Sequence, residues 1–194
     1  MLICFGDSNT WGANPLGGRH AESQRWPTLL AKQLNMPVKA EGQPGRTLLA
    51  SRVEFGVMPD RARWQKALQQ HPAIIILALG INDLAAGASA EEASAALELY
   101  LDEHPRLSPQ SQLLVMAPAP LGQLTANWRA LFGGKEAESR KLTPLWQRGC
   151  AARGVTMLDI TPLLTPSADG LHWSVEDHQR IADAVGRLIN PHAV

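Results

Sequence analysis

Three side chains in this sequence have the types and setting of an activated nucleophile. Ser8 stands in Gly6-Asp7-Ser8-Asn9-Thr10-Trp11-Gly12, and Asp169 and His172 stand in Asp169-Gly170-Leu171-His172. A serine hydroxyl attacks poorly until a base takes its proton. His172 suits that task, because imidazole titrates near neutral pH. Asp169, three residues earlier, can accept from one ring nitrogen through a tight turn and leave the other to face Ser8, the division of labour of a catalytic triad. Such a trio performs acyl transfer through an acyl-Ser8 intermediate, resolved by water or an alcohol. The tetrahedral intermediate needs donors aimed at its oxyanion. The amides of Ser8 and Gly45 can serve, Gly45 because a residue without a side chain lets backbone approach substrate closely. Asn82, in Gly80-Ile81-Asn82-Asp83, offers two amide hydrogens without a positive charge that might hold the product.

Each residue also has a plain structural use. Ser8 can cap a helix, Gly45 and Asn82 can serve turns, and Asp169 and His172 can cap the last helix or lie on the surface. Their weight comes from the elements around them. Leu2–Phe5 reads as strand one, and Gln24–Leu34 as a helix with Pro27 in its first turn. Val38–Glu41 is a second strand, followed by a turn over Gly42-Gln43-Pro44-Gly45. Arg61–Gln70 is helical, and the apolar run Ala73–Leu79 has the pattern of a buried parallel strand. Ser89-Ala90-Glu91-Glu92 is a capping box opening a helix with Ala93, Ala96, Leu97, Tyr100 and Leu101 on one face.

Gln112–Ala117 is the next strand, ended by Pro118-Ala119-Pro120. Residues 121–143, with Gly133-Gly134, read as a mobile flap. Pro144–Arg153 reads as a helix capped by Thr143, and Val155–Ile160 as the last strand. A final helix begins over Ser174–Asp177 with Ile181, Val185 and Leu188 inward. Strands alternating with helices imply parallel strands joined by crossovers. The expectation is one domain over residues 1–194, an α/β/α sandwich of three layers around a parallel sheet of about five strands. Ligands in such sheets sit beyond the strands' carboxyl ends, and all four segments fall there.

Composition narrows the alternatives. Lys plus Arg and Asp plus Glu are 18 each, so no general charge draws the chain to nucleic acid or an anionic membrane. Zero net charge protects weakly against self-association, which leaves a homo-oligomer open. Cys4 and Cys150 read as two buried thiols, and no Cys/His cluster has zinc spacing, so no metal is expected. The N-terminus lacks a signal-peptide pattern and the longest apolar run cannot span a bilayer, so the expected location is cytoplasmic, without stable membrane insertion, with a mature secreted form whose signal has been removed as the alternative. A nucleotide or phosphate binder is disfavoured, since neither a P-loop nor a Gly-x-Gly-x-x-Gly after strand one is present.

The four segments, in this order and spanning Gly6 to His172, resemble the four blocks of the SGNH hydrolases, also called GDSL esterases or lipases. The resemblance implies a flavodoxin-like α/β/α hydrolase fold, Ser8 as nucleophile, Ser8, Gly45 and Asn82 as the oxyanion hole, and Asp169 and His172 completing the triad. It departs from the family's usual leucine after the serine, where Asn9 stands here. The G-D-S-N-T-W-G opening and the G-R-T segment look most similar to the bacterial arylesterase and acyltransferase branch. The implied substrate is a small-molecule ester with a short acyl or aryl group, and no cofactor is implied. Carbohydrate O-deacetylation, thioester hydrolysis and alcohol acylation use the same residues, and a non-catalytic ligand binder is the reading from another class.

Around these blocks, Asp7 is expected to support the Ser8 turn and Asp83 to bond local backbone amides. Arg46 reads as an ion-pair residue, with contact to an anionic substrate as the alternative. Trp11 and Trp173 flank the nucleophile and base and are, with Arg46, the candidate pocket residues. Trp26, Trp64, Trp128 and Trp146 read as packing residues. His20, His71, His104, His178 and His192 read as surface residues.

Overall fold

The computed structural model describes residues 1–49, 61–165 and 167–190. Five parallel strands, β1 (Leu2–Gly6), β2 (Val38–Gly42), β3 (Ile74–Ala78), β4 (Gln112–Ala117) and β5 (Thr156–Asp159), form one sheet in the order β2-β1-β3-β4-β5. Pairing is in register from Leu2 opposite Val38 and Ile74 to Gly6 opposite Gly42 and Ala78, so the carboxyl ends of β1, β2 and β3 finish level. The apolar runs are buried on both faces because helices cover both. Leu2, Cys4, Ile74, Ile76, Leu114 and Met116 pack on one side against Trp26, Leu30, Ile181 and Val185. Ile3, Phe5, Ile75, Leu77, Leu113 and Val115 pack on the other against Trp64, Leu97, Tyr100, Leu142 and Trp146. The two thiols are buried on opposite sides of the sheet, so they cannot pair, and burial raises both, Cys150 to about 11.

The helices are α1 (Ser8–Trp11), α2 (Trp26–Leu34), α3 (Arg61–Leu68), α4 (Ile81–Ala85), α5 (Ala90–Leu107), α6 (Ala126–Phe132), α7 (Glu136–Ala151) and α8 (Val175–Ile189). The capping box of α5 forms as read, with Glu92 N–H on Ser89 Oγ at 3.1 Å and Ser89 N–H on Glu92 Oε2 at 2.8 Å. α2 starts at Trp26 rather than Gln24, because a separate 3₁₀ turn occupies Glu22–Gln24.

The larger correction concerns residues 121–143. They hold α6 and the first half of α7 rather than a flap, anchored by Phe132 and Leu142 in the core. Thr143 and Pro144 therefore lie inside α7 rather than at its start. Proline there deprives Arg140 of an amide partner, but both residues are exposed, so water can take that carbonyl. Leu188, expected inward, is 42% exposed. His178, Ala182, Val185 and partly Ile189 fill the inner stripe of α8, and Leu188 lies at its edge.

Candidate active site

The turn carrying Ser8 is built by its neighbours. Asp7 caps α1 by accepting from Asn9 N–H at 2.9 Å, which leaves Ser8 as the first helical residue just past the end of β1. Burial pushes the Asp7 carboxyl up to about 6 against the lowering effects of that amide, His172 and Arg46. α1 lies directly on the end of β2: a Cβ at Gly42 would meet Trp11 N at 2.2 Å. Gly42 was read only as a turn residue, yet it is what lets the helix that carries Ser8 approach the sheet.

His172 Nδ1 lies 2.7 Å from Asp169 Oδ2, and His172 Nε2 lies 3.0 Å from Ser8 Oγ. The carboxylate must accept from Nδ1–H, so Nε2 is the bare nitrogen that accepts from the Ser8 hydroxyl. Asp169 Oδ1 accepts from the backbone N–H of Leu171 at 2.9 Å and of His172 at 2.8 Å. Burial opposes ionisation of Asp169, but the bond to the His172 ring and these two amides outweigh it, so the carboxyl is held well below the usual range. Ser167 Oγ lies 2.9 Å from Asp169 Oδ1 and 2.5 Å from His172 O, and its single proton serves one of them.

Gly45 has φ 75°, the left-handed region that favours glycine, in a turn closed by Arg46 N–H on Gln43 O at 3.2 Å. Asn82 donates one amide hydrogen to Arg46 O at 3.1 Å, which fixes the side chain and leaves its second hydrogen for a ligand. Among the described residues, the N–H groups of Ser8 and Gly45 enter no backbone bond. Asp83 accepts from Leu48 N–H at 3.0 Å and Leu49 N–H at 2.8 Å, so it bonds backbone amides as expected, although those amides lie on a distant loop. Burial lifts its carboxyl to about 7 despite them.

Ser8, Gly45, Asn82, Asp169 and His172 open onto one cleft of about 710 Å³. Trp11 lines it, as the sequence suggested. Arg46 does not. It is 1% exposed, donates to Gly6 O at 2.9 Å, to Glu41 O and to Gln43 Oε1, and stacks on the Phe5 ring at 4.2 Å. Trp173 is also buried, against His178 and a smaller cavity of about 280 Å³ on the other side of His172. Trp128, read as core, is half-buried in the cleft with its ring 5.1 Å from the His172 ring, and Leu16 and Leu131 flank the mouth. Helical spacing could not separate a tryptophan facing a cleft from one facing the core, because both occupy an inward face of α6. His20, His104 and His178 are buried rather than at the surface, and His192 lies outside the described residues.

Comparison with known proteins gives the same reading of the fold. A sequence model of the GDSL-like lipase/acylhydrolase family matches residues 4–181. The chain is similar to a diglucosylglycerate octanoyltransferase of Mycolicibacterium hassiacum, 25% identical over 227 aligned positions that cover 94% of this chain and 91% of that protein. Among solved structures it is similar to a carbohydrate acetylesterase family member from Sinorhizobium meliloti, with TM-score 0.86, 26% identity, and 98% and 97% of the two chains covered. It also shares the fold of the M. smegmatis aryl esterase, with TM-score 0.87, 23% identity and 98% of each chain covered. The chain belongs to the GDSL-like lipase/acylhydrolase family and is an ester hydrolase by that membership.

Proposed function

We propose that this member of the GDSL-like lipase/acylhydrolase family is a serine esterase acting on short-chain acyl or aryl esters. The observation that carries the reading is the unbroken line from Asp169 through His172 to Ser8, at 2.7 and 3.0 Å, opening onto the cleft with Gly45 and Asn82. Ser8 Oγ attacks the ester carbonyl carbon as its proton passes to His172 Nε2. The amides of Ser8 and Gly45 and the free amide hydrogen of Asn82 receive the oxyanion. The tetrahedral species collapses, the alkoxide leaves with the proton from His172, and the acyl group stays on Ser8. Water, deprotonated by the same nitrogen, then releases the acid. The ionised Asp169 holds the ring in the required tautomer and stabilises the imidazolium. No step calls on a metal or organic cofactor.

The apolar walls contributed by Trp11 and Trp128 suit a small acyl or aryl group. A cleft of about 710 Å³ also has room for an alcohol beside the acyl-serine, which supports a second reading as an acyltransferase. The octanoyltransferase relative agrees with it. Carbohydrate O-deacetylation is supported by the acetylesterase neighbour. Hydrolysis of p-nitrophenyl esters from acetate upward by wild type and Ser8→Ala tests the proposal. Turnover falling with chain length and absent from the mutant is the expected result; equal turnover in both rejects Ser8.

A further inference from the structure

His20 is 5% exposed, although it sits only twelve residues beyond the nucleophile in a turn-rich stretch. Its Nε2 lies 2.9 Å from the carbonyl oxygen of Trp173, the residue after the base. A carbonyl only accepts, so Nε2 carries the proton and donates. The other end of His20 is tied to the nucleophile. His20 N–H donates to Gly12 O at 2.8 Å, and Gly12 N–H donates to Ser8 O at 2.8 Å.

The bonds therefore form a closed circuit. It runs from Ser8 through Gly12 and His20 to Trp173, along the chain to His172, and back through Nε2 to Ser8 Oγ. Besides the reacting contact itself, a second side-chain link between these segments is Asn9 Nδ2 on Leu171 O, at 3.4 Å, longer than an ordinary hydrogen bond. The His20 bond is the stronger tie.

The His20 ring is itself held in place. The His178 ring packs edge-on against it at 5.0 Å, and the Trp173 ring packs on His178 at 5.6 Å. His178 accepts from Trp26 N–H through Nδ1 at 3.3 Å, and burial lowers its pKa to about 3, so it is a neutral support. On the far side of Trp173, Ser174 N–H is fixed by Asp177 Oδ2 at 3.0 Å. His20 thus acts on a short piece of backbone with little freedom of its own.

We infer that His20 is a positioning residue, a hydrogen-bonded strut that sets the distance between the Ser8 hydroxyl and the His172 imidazole without touching substrate. This rests on the proposed reading of Ser8 and His172 as nucleophile and base. A misplacement of about 1 Å in such a pair costs on the order of 10²-fold in rate. A lost strut appears in kcat, because substrate binding in the cleft does not use it.

The test is steady-state hydrolysis of p-nitrophenyl acetate by wild type, Ser8→Ala and three His20 variants, with thermal unfolding measured on each. Gln places an amide donor near the position of Nε2; Asn places one nearer Nδ1, short of the Trp173 carbonyl; Leu supplies none. The expected result is a kcat lower by roughly 10- to 100-fold in His20→Leu and His20→Asn, KM within about threefold, and His20→Gln restored to within about threefold of wild type. His20→Gln as impaired as His20→Asn, or His20→Asn as active as wild type, overturns the inference even if His20→Leu does not fold. Turnover that survives in Ser8→Ala instead removes the nucleophile reading, and the strut with it.

Discussion

Within residues 167–172 the side chains of Ser167 and Asp169 orient His172, the proposed base, through bonds spanning two to five positions, whereas side-chain bonds of the loop facing it, Gln43–Leu49, reach 34 to 40 positions. Arg46 reaches back to Gly6 O, Asp83 receives the amides of Leu48 and Leu49, and Asn82 holds Arg46 O. The two loops supply the two halves of the proposed chemistry, proton transfer and oxyanion binding. The side chains of the base loop bond within their own turn, while its carbonyls at Asp169 and Gly170 accept from Thr125 and Gly122 N–H. The oxyanion loop exists only once β1, β2 and α4 have come together, and it depends on a buried carboxyl. Damage to the first is expected to be chemical and to leave the fold intact. Damage to the second is expected to mix chemistry with stability.

The largest effect that sharpens this contrast is Asp169→Asn. An amide in place of the carboxylate can still accept from the local backbone but presents a donor to Nδ1, which favours the wrong tautomer. A drop in kcat of about 10⁴-fold, with an unfolding midpoint close to wild type, is expected from steady-state kinetics and thermal melts. Asn82→Ala comes next. Loss of one oxyanion donor lowers kcat by about 10²- to 10³-fold. It also leaves Arg46 O without its donor, so a measurable loss of stability accompanies it. A stability loss on Asp169→Asn larger than that on Asn82→Ala would break the comparison.

The smallest effect is one of pH. The Asp83 carboxyl is raised to about 7 by burial, so the folded state holds its proton more tightly than the unfolded state does. The stability this contributes is fully present below the unfolded carboxylate pKa of about 4 and is lost as pH rises through about 7. Asp169 works in the opposite sense: its lowered pKa contributes stability above that unfolded value, lost as pH falls. Asp83→Asn keeps an acceptor for the Leu48 and Leu49 amides and removes the titration. Denaturant unfolding at pH 5 and pH 8 should show the wild type losing about 2 kcal/mol more than the variant over that interval. Equal losses would mean that Asp83 does not titrate there.

Legibility in the sequence followed the same division. The strands and the capping box at Ser89 were readable because apolar runs and a Ser-x-x-Glu spacing are local. Asp169 and His172, three residues apart, were readable for the same reason. The role of Asp83 was half readable: its preference for backbone amides was foreseen, but their place on the Leu48–Leu49 loop depends on the sheet order. Arg46 was misplaced among the candidate pocket residues because nothing nearby in the sequence marks the carbonyl of Gly6 as an acceptor that draws it inward. Trp128 and His20 share that difficulty. Both are ordinary by type and spacing, and they take their positions from chain segments 44 and 153 residues away. Pro144 misled in the other direction, since a residue that reads as the first position of a helix lies inside a continuous α7, which Leu142 and Trp146 anchor in the core.

Ser8 is proposed as a nucleophile activated by His172. Treating the folded protein with a fluorophosphonate and mapping the phosphonylated peptide by mass spectrometry tests it most directly. One adduct is expected, on Ser8, formed rapidly in wild type, slowly in Asp169→Asn and not at all in Ser8→Ala. An adduct on another serine, or labelling of Ser8→Ala at the wild-type rate, would contradict it.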